Sequence, residues 1–188
     1  MKSKVTLVKS IISVAALLLL LGVSTNSSAY WGRDGTYVVK CDAGMTPQHI
    51  LDMQWFARPI ELQLVGICPG FTIKRDDVTV TARDSEACPG ATVSGKISVD
   101  GARNARLACI SFMGGESGIA VSGGKAVLED VHISGSNDSG IWIDDSGTVE
   151  MSGGSITDTV AGVFIENGHG SFDEVDISSN RGTAVSVE

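Results

Sequence analysis

Ile97-Ser98-Val99-Asp100, Ile119-Ala120-Val121-Ser122, Ile141-Trp142-Ile143-Asp144, Val163-Phe164-Ile165-Glu166 and Val185-Ser186-Val187-Glu188 form a ladder in which each unit begins 22 residues after the last. In every unit the first and third residues are apolar, while the second and fourth vary freely. That is the period-two signature of a strand with one buried face. Shorter apolar runs lie between these strands: Val127-Leu128 and Val131-His132-Ile133, then Val149-Glu150-Met151 and Ile156, then Phe172, Val175 and Ile177. Three short strands per period, separated by Gly, Ser, Asn and Asp, make one triangular coil. A single coil cannot bury its apolar face, so successive coils must stack about 4.8 Å apart, share one interior, and hydrogen-bond coil to coil. Gly118, Gly140 and Gly162 precede three of the strands and are read as tight corners. A leucine-rich repeat would need its leucine and asparagine signature, and an antiparallel sandwich would not hold one period over five strands.

Upstream, Thr46 and Pro47 have the chemistry of an N-cap and a first-turn proline. They predict a helix over Pro47 to Ala57 with a broad apolar face that includes Ile50, Leu51, Trp55 and Phe56. Such a helix caps the open end of a solenoid, which would otherwise expose core and unpaired backbone. Ile60 to Val65, Phe71 to Ile73 and Val78 to Val80 are the first, less regular coils. The domain reading is therefore a leader over residues 1–29, a cap with an amphipathic helix over 30–59, and stacked coils over 60–188.

The run from Cys68-Pro69-Gly70-Phe71-Thr72-Ile73 to Val78-Thr79-Val80, followed by the glycine-led coils, resembles the right-handed parallel β-helix proteins of the pectin-lyase-like superfamily. The resemblance covers essentially all of the chain after the leader. It implies an all-β, right-handed parallel β-helix with coils of about 22 residues. For activity it implies little, since that superfamily includes lyases, hydrolases, epimerases, adhesins and proteins with no known activity.

Lys2, Lys4 and Lys9 precede an apolar run from Ile11 to Val23 and the small residues Ser27-Ser28-Ala29. This is the pattern of a secretory signal peptide cleaved after Ala29, and the run is too short for a comfortable membrane span. The expected destination is secreted or periplasmic. Cys41, Cys68, Cys88 and Cys109 all follow that cut, where an oxidising compartment permits disulfides. Of the three connectivities, Cys41–Cys68 with Cys88–Cys109 is favoured, because a separation of 21 residues is about one coil and stacks the second pair. No close ligand pair such as C-x-x-C supports a metal reading.

The chain has 14 basic and 22 acidic residues. Losing three lysines with the leader leaves 11 against 22, a charge of about −11. Thirteen of the acids fall between Met113 and Glu188, with only Lys125 and Arg181 beside them. Nucleic acid is thereby disfavoured as a partner, and a polyanionic glycan would need a bridging cation there.

Trp142 and Phe164 occupy the outward second position of consecutive coils, so the register puts one above the other on an exposed sheet. Stacked aromatics suit the apolar face of a sugar, which makes this pair the candidate glycan site. Asp144, Asp145 and Glu166 share the adjoining edge and are candidates for orienting hydroxyl groups or holding Ca²⁺. The competing reading is an aromatic pair covered by another element, with the acids as a solvated edge.

The resemblance also permits a test for catalysis. Asp144-Asp145 and Gly168-His169-Gly170 match two of the four motifs of polygalacturonases by residue type. With Glu166 these make Asp144, Asp145 and His169 the candidate acid–base set. Asn137-Asp138 is contiguous where the family has Asn-x-Asp, Arg181 lacks the following lysine, and His169 is placed in a turn. The Asp-Pro-His of alginate epimerases is missing, Arg103 and Arg106 have no acidic cluster on their own coil, and the regular coils offer only Lys125 and Arg181 as bases or counter-charges. The reading favours a polysaccharide-binding or structural surface module, with a polysaccharide hydrolase, lyase or epimerase as the alternative. The last strand ends at Glu188, so its coil is begun and not completed. Val185 and Val187 are expected at an open edge that pairs with another copy or is kept apart by the charges of Glu166 and Glu188.

Overall fold

The computed structural model describes residues 35–53, 59–83, 88 and 90–188. The expected leader, and the helical residues expected beyond Met53, lie outside these. The elements in chain order are β1 (Thr36–Lys40), a 3₁₀ turn (Cys41–Ala43), α1 (Pro47–Asp52), β2 (Ile60–Val65), β3 (Ile67–Ile73), β4 (Val78–Ala82), β5 (Ala91–Asp100), β6 (Ala105–Ala108) and β7 (Ile110–Met113). They continue with β8 (Ile119–Ser122), β9 (Lys125–Ser134), β10 (Ser139–Asp144), β11 (Thr148–Thr157), β12 (Ala161–Ile165), β13 (His169–Asp173), β14 (Asp176–Ser178) and β15 (Val185–Val187). All strand pairs recorded are parallel, which makes an all-β solenoid of about six turns.

The ladder predicted from sequence is the observed register: Ile97 pairs with Ile119, Ile119 with Ile141, Ile141 with Val163 and Val163 with Val185. Ile97, Ile119, Ile141 and Val163 are all 0% exposed, and burying each aliphatic side chain is worth roughly 1.5–3 kcal/mol. This first face consists of the end of β3, the end of β5, and β8, β10, β12 and β15. A second face runs through β1, β2, β4, β6 and the first halves of β9 and β11 to β13. The third runs through the starts of β3 and β5, then β7, the ends of β9 and β11, and β14. The parallel sheet thus begins at Thr36, ahead of Ile60.

Each corner of the triangle is a column of left-handed residues. One column is Gly101, Gly123, Asp145 and Asn167; the next is Cys109, Asp130, Gly153 and Glu174; the third is Gly114, Gly135, Asp158 and Ser179. Glycine, asparagine and aspartate tolerate this conformation best, and they fill nine of these twelve positions. Gly118, Gly140 and Gly162 do something else. None has a positive φ, and the expectation that they turn corners is corrected: they make room. A β-carbon on Gly118 would lie 2.6 Å from Ile133 Cγ2 and 2.8 Å from the Gly140 carbonyl oxygen.

At the N-terminal end Thr46 accepts the His49 N–H at 3.3 Å and Pro47 opens α1, as predicted. The helix is shorter than predicted. Met53 is already extended, with ψ of 107°, so α1 stops at Asp52. Cys41–Cys68 ties the 3₁₀ turn to β3, and Cys88–Cys109 joins adjacent coils. No helix among the described residues is long and apolar enough to cross a membrane.

Candidate functional site

The outward column on the first face reads Thr72, Ser98, Ala120, Trp142, Phe164 and Ser186, each a register partner of the next. Its middle changes abruptly from small to large. The Trp142 and Phe164 rings lie 4.7 Å apart between centroids and are tilted by 37°. At that separation they overlap as an offset stack rather than lying edge to edge in one plane. Phe164 packs against Trp142 on one side. On the other side its register partner is Ala120, whose methyl group is small, and both residues line one hollow.

That hollow is the inner end of a groove along the solenoid axis. It measures about 240 Å³ and is bounded by Trp142, Ala120, Ser117, Lys96, Glu116, Asp138 and Asp144. A neighbouring one of about 440 Å³ shares Lys96, Ala120 and Asp144 and continues over Ser98, Ser122 and Thr72 to Lys74. Lys74 is tied to Asp100 at 3.1 Å, whereas Lys96 makes no ion pair among the described residues. Glu116 and Asp138 stand on successive coils, linked by the Asp138 N–H donating to the Glu116 carbonyl at 2.8 Å. Beneath them Ser117 and Ser139, both buried, share a hydrogen bond of 3.2 Å.

Lys96 and Glu116 were not among the residues singled out by sequence, and Asp138 entered only in the contiguous Asn137-Asp138 that departs from the polygalacturonase pattern. Lys96 stands immediately before Ile97, in the slot filled by Gly118, Gly140 and Gly162 in the next three coils, and ahead of the stretch from Met113 in which Lys125 and Arg181 are the only cations. Glu116 and Asp138 each stand three places before the start of a ladder unit, a 22-residue echo that could have marked them.

The acids proposed as a Ca²⁺ edge are not drawn together. Asp145 is a left-handed corner residue whose carboxylate accepts the Ser122 hydroxyl at 3.0 Å, Asp144 turns into the groove, and Glu166 is exposed. Among the described residues the one close trio of ligand types is Cys88, Cys109 and Asp130, and both its sulfurs are in the disulfide. His169 begins β13, paired with Thr148, so it belongs to a strand of the second face rather than to a turn. The corner thus lies between His169 and the Asp144-Asp145 pair.

Two cations on the second face are held in ion pairs between coils. Arg106 meets Glu129 of the next coil, and Lys125 meets Glu150 at 2.8 Å. Arg106 therefore does have an acidic partner, supplied by the neighbouring coil rather than its own. His132 faces outward on the third face and shares a hydrogen bond of 3.0 Å with Ser155.

The family described as right handed beta helix region matches residues 78–188, more than half of the chain. The protein belongs to the right-handed parallel β-helix family. Comparisons with curated proteins and with solved structures gave no match.

Proposed function

We propose that the chain is a carbohydrate-binding β-helix module acting outside the cytosol, which takes an extended glycan along the groove from Lys74 to Trp142. The observation that carries this reading is the half-buried Trp142 bordering the end of a polar groove. A pyranose has an apolar face that stacks on indole and a rim of hydroxyls that both donate and accept. Ser98, Ser122, Asp144 and Asp138 offer complementary groups along the groove. Its direction matches an extended chain, because each coil advances about 4.8 Å along the axis. The two disulfides fit an oxidising compartment, as a secreted or periplasmic protein would meet.

The reading is tested by calorimetric titration of a panel of soluble oligosaccharides into wild type and Trp142→Ala. Trp142→Ala should weaken the bound oligosaccharide at least tenfold, as expected for an aromatic anchor, while leaving the circular dichroism spectrum unchanged. Equal affinity in the two proteins rejects the site.

A further inference from the structure

The groove end has a charge that narrows the ligand class. Three carboxylates, from Glu116, Asp138 and Asp144, border the hollow beside Trp142, and among the described residues Lys96 is the one cation that borders it. Trp142 borders the same space, with Ala120 and Phe164 as its register neighbours on either side. An indole face flanked by carboxylates attracts an ammonium group both by cation–π contact and by direct charge. A sugar acid would instead meet three like charges.

Resting on the carbohydrate reading above, we propose that this hollow selects an amine-bearing sugar, a hexosamine unit with its nitrogen free and protonated. The ring stacks on Trp142, and the ammonium lies toward Asp138 and Asp144. Ala120 is what leaves the space open: its register neighbours are Ser98 and Trp142, and a large side chain in its place would fill the hollow. Lys96 lowers the affinity, since its ammonium borders the same hollow and repels a bound cation. Its removal should therefore strengthen binding of this ligand, and would weaken binding of an acidic one.

The experiment is calorimetric titration of the full chain with a glucosamine tetramer, its N-acetylated counterpart and a neutral glucose tetramer, at low and high salt. The glucosamine tetramer should bind about tenfold more tightly than the other two, and its advantage should shrink as salt screens the charges. Asp138→Asn with Asp144→Asn should abolish the advantage, Lys96→Gln should increase it, and Glu150→Gln on the second face should leave it unchanged. Circular dichroism confirms that each variant is folded. Equal binding of all three tetramers overturns the amine selectivity and leaves the carbohydrate reading standing. Failure of every tetramer to bind overturns both. A glucosamine preference that survives the double substitution shows general attraction to an acidic protein and overturns the site.

Discussion

The β-carbon that Gly140 lacks would lie 2.3 Å from Cγ2 of Ile156 and 2.7 Å from the carbonyl oxygen of Gly162. One contact is with the core of the same coil and the other with the backbone of the next, so neither neighbour yields cheaply. Gly140→Ala is predicted to destabilise the fold by about 3 kcal/mol, the upper part of the range for overpacking, and to lower Tm by roughly 10 °C. Gly123 provides the contrast. It sits in a left-handed corner with its nearest neighbour 3.7 Å away, and the same corner carries Asn167 two coils on. Gly123→Asn should cost less than about 1 kcal/mol in the same thermal melt. Equal losses for the two variants would contradict the distinction between a packing glycine and a turning one.

That distinction marks where the sequence stops being legible. The strands could be read because Ile97, Ile119, Ile141, Val163 and Val185 repeat one local pattern at one spacing, and period two needs no knowledge of neighbours. The role of Gly140 depends on Ile156 and Gly162, which approach it only after coils have stacked. The tilt of Trp142 on Phe164 depends on side-chain rotamers, which register alone does not determine. Lys96 escaped notice because it stands in the slot that glycine fills in the next three coils, and Glu116 because it lies in a connection, outside the apolar ladder; Asp138, also in a connection, was weighed only against a motif it does not fit. The end of α1 was misjudged because the apolar pattern of the sequence runs on past Asp52, whereas the backbone has turned extended at Met53.

The two disulfides close loops with sequence separations of 27 and 21 residues. Each is predicted to stabilise the oxidised protein by about 3 kcal/mol, chiefly by restricting the unfolded chain. The oxidised protein should show no reactive thiol in denaturant, and reduction should lower the denaturation midpoint. Peptide mapping that joined Cys68 to Cys88 would disprove the pairing.

Thr159 is fully buried, and its N–H donates to the Asn180 side-chain oxygen at 3.0 Å, while the Asn180 amide donates to the Ile156 carbonyl at 3.2 Å. Asn180→Ala would leave that buried N–H without its partner. A loss of about 1–3 kcal/mol is expected by chemical denaturation. Asn180→Asp keeps the acceptor for Thr159 and should lose less than the alanine variant; the reverse order would contradict this account of the bond.

The most direct test of the groove is a two-dimensional amide NMR titration of the full chain with the oligosaccharide that binds most tightly in the calorimetric panel. The account predicts that perturbed signals cluster on Lys96, Ser98, Ala120 and Trp142, including the Trp142 indole N–H, while the second face around Lys125 and Glu150 stays still. Perturbations centred on that second face, or spread evenly over all three, would contradict it.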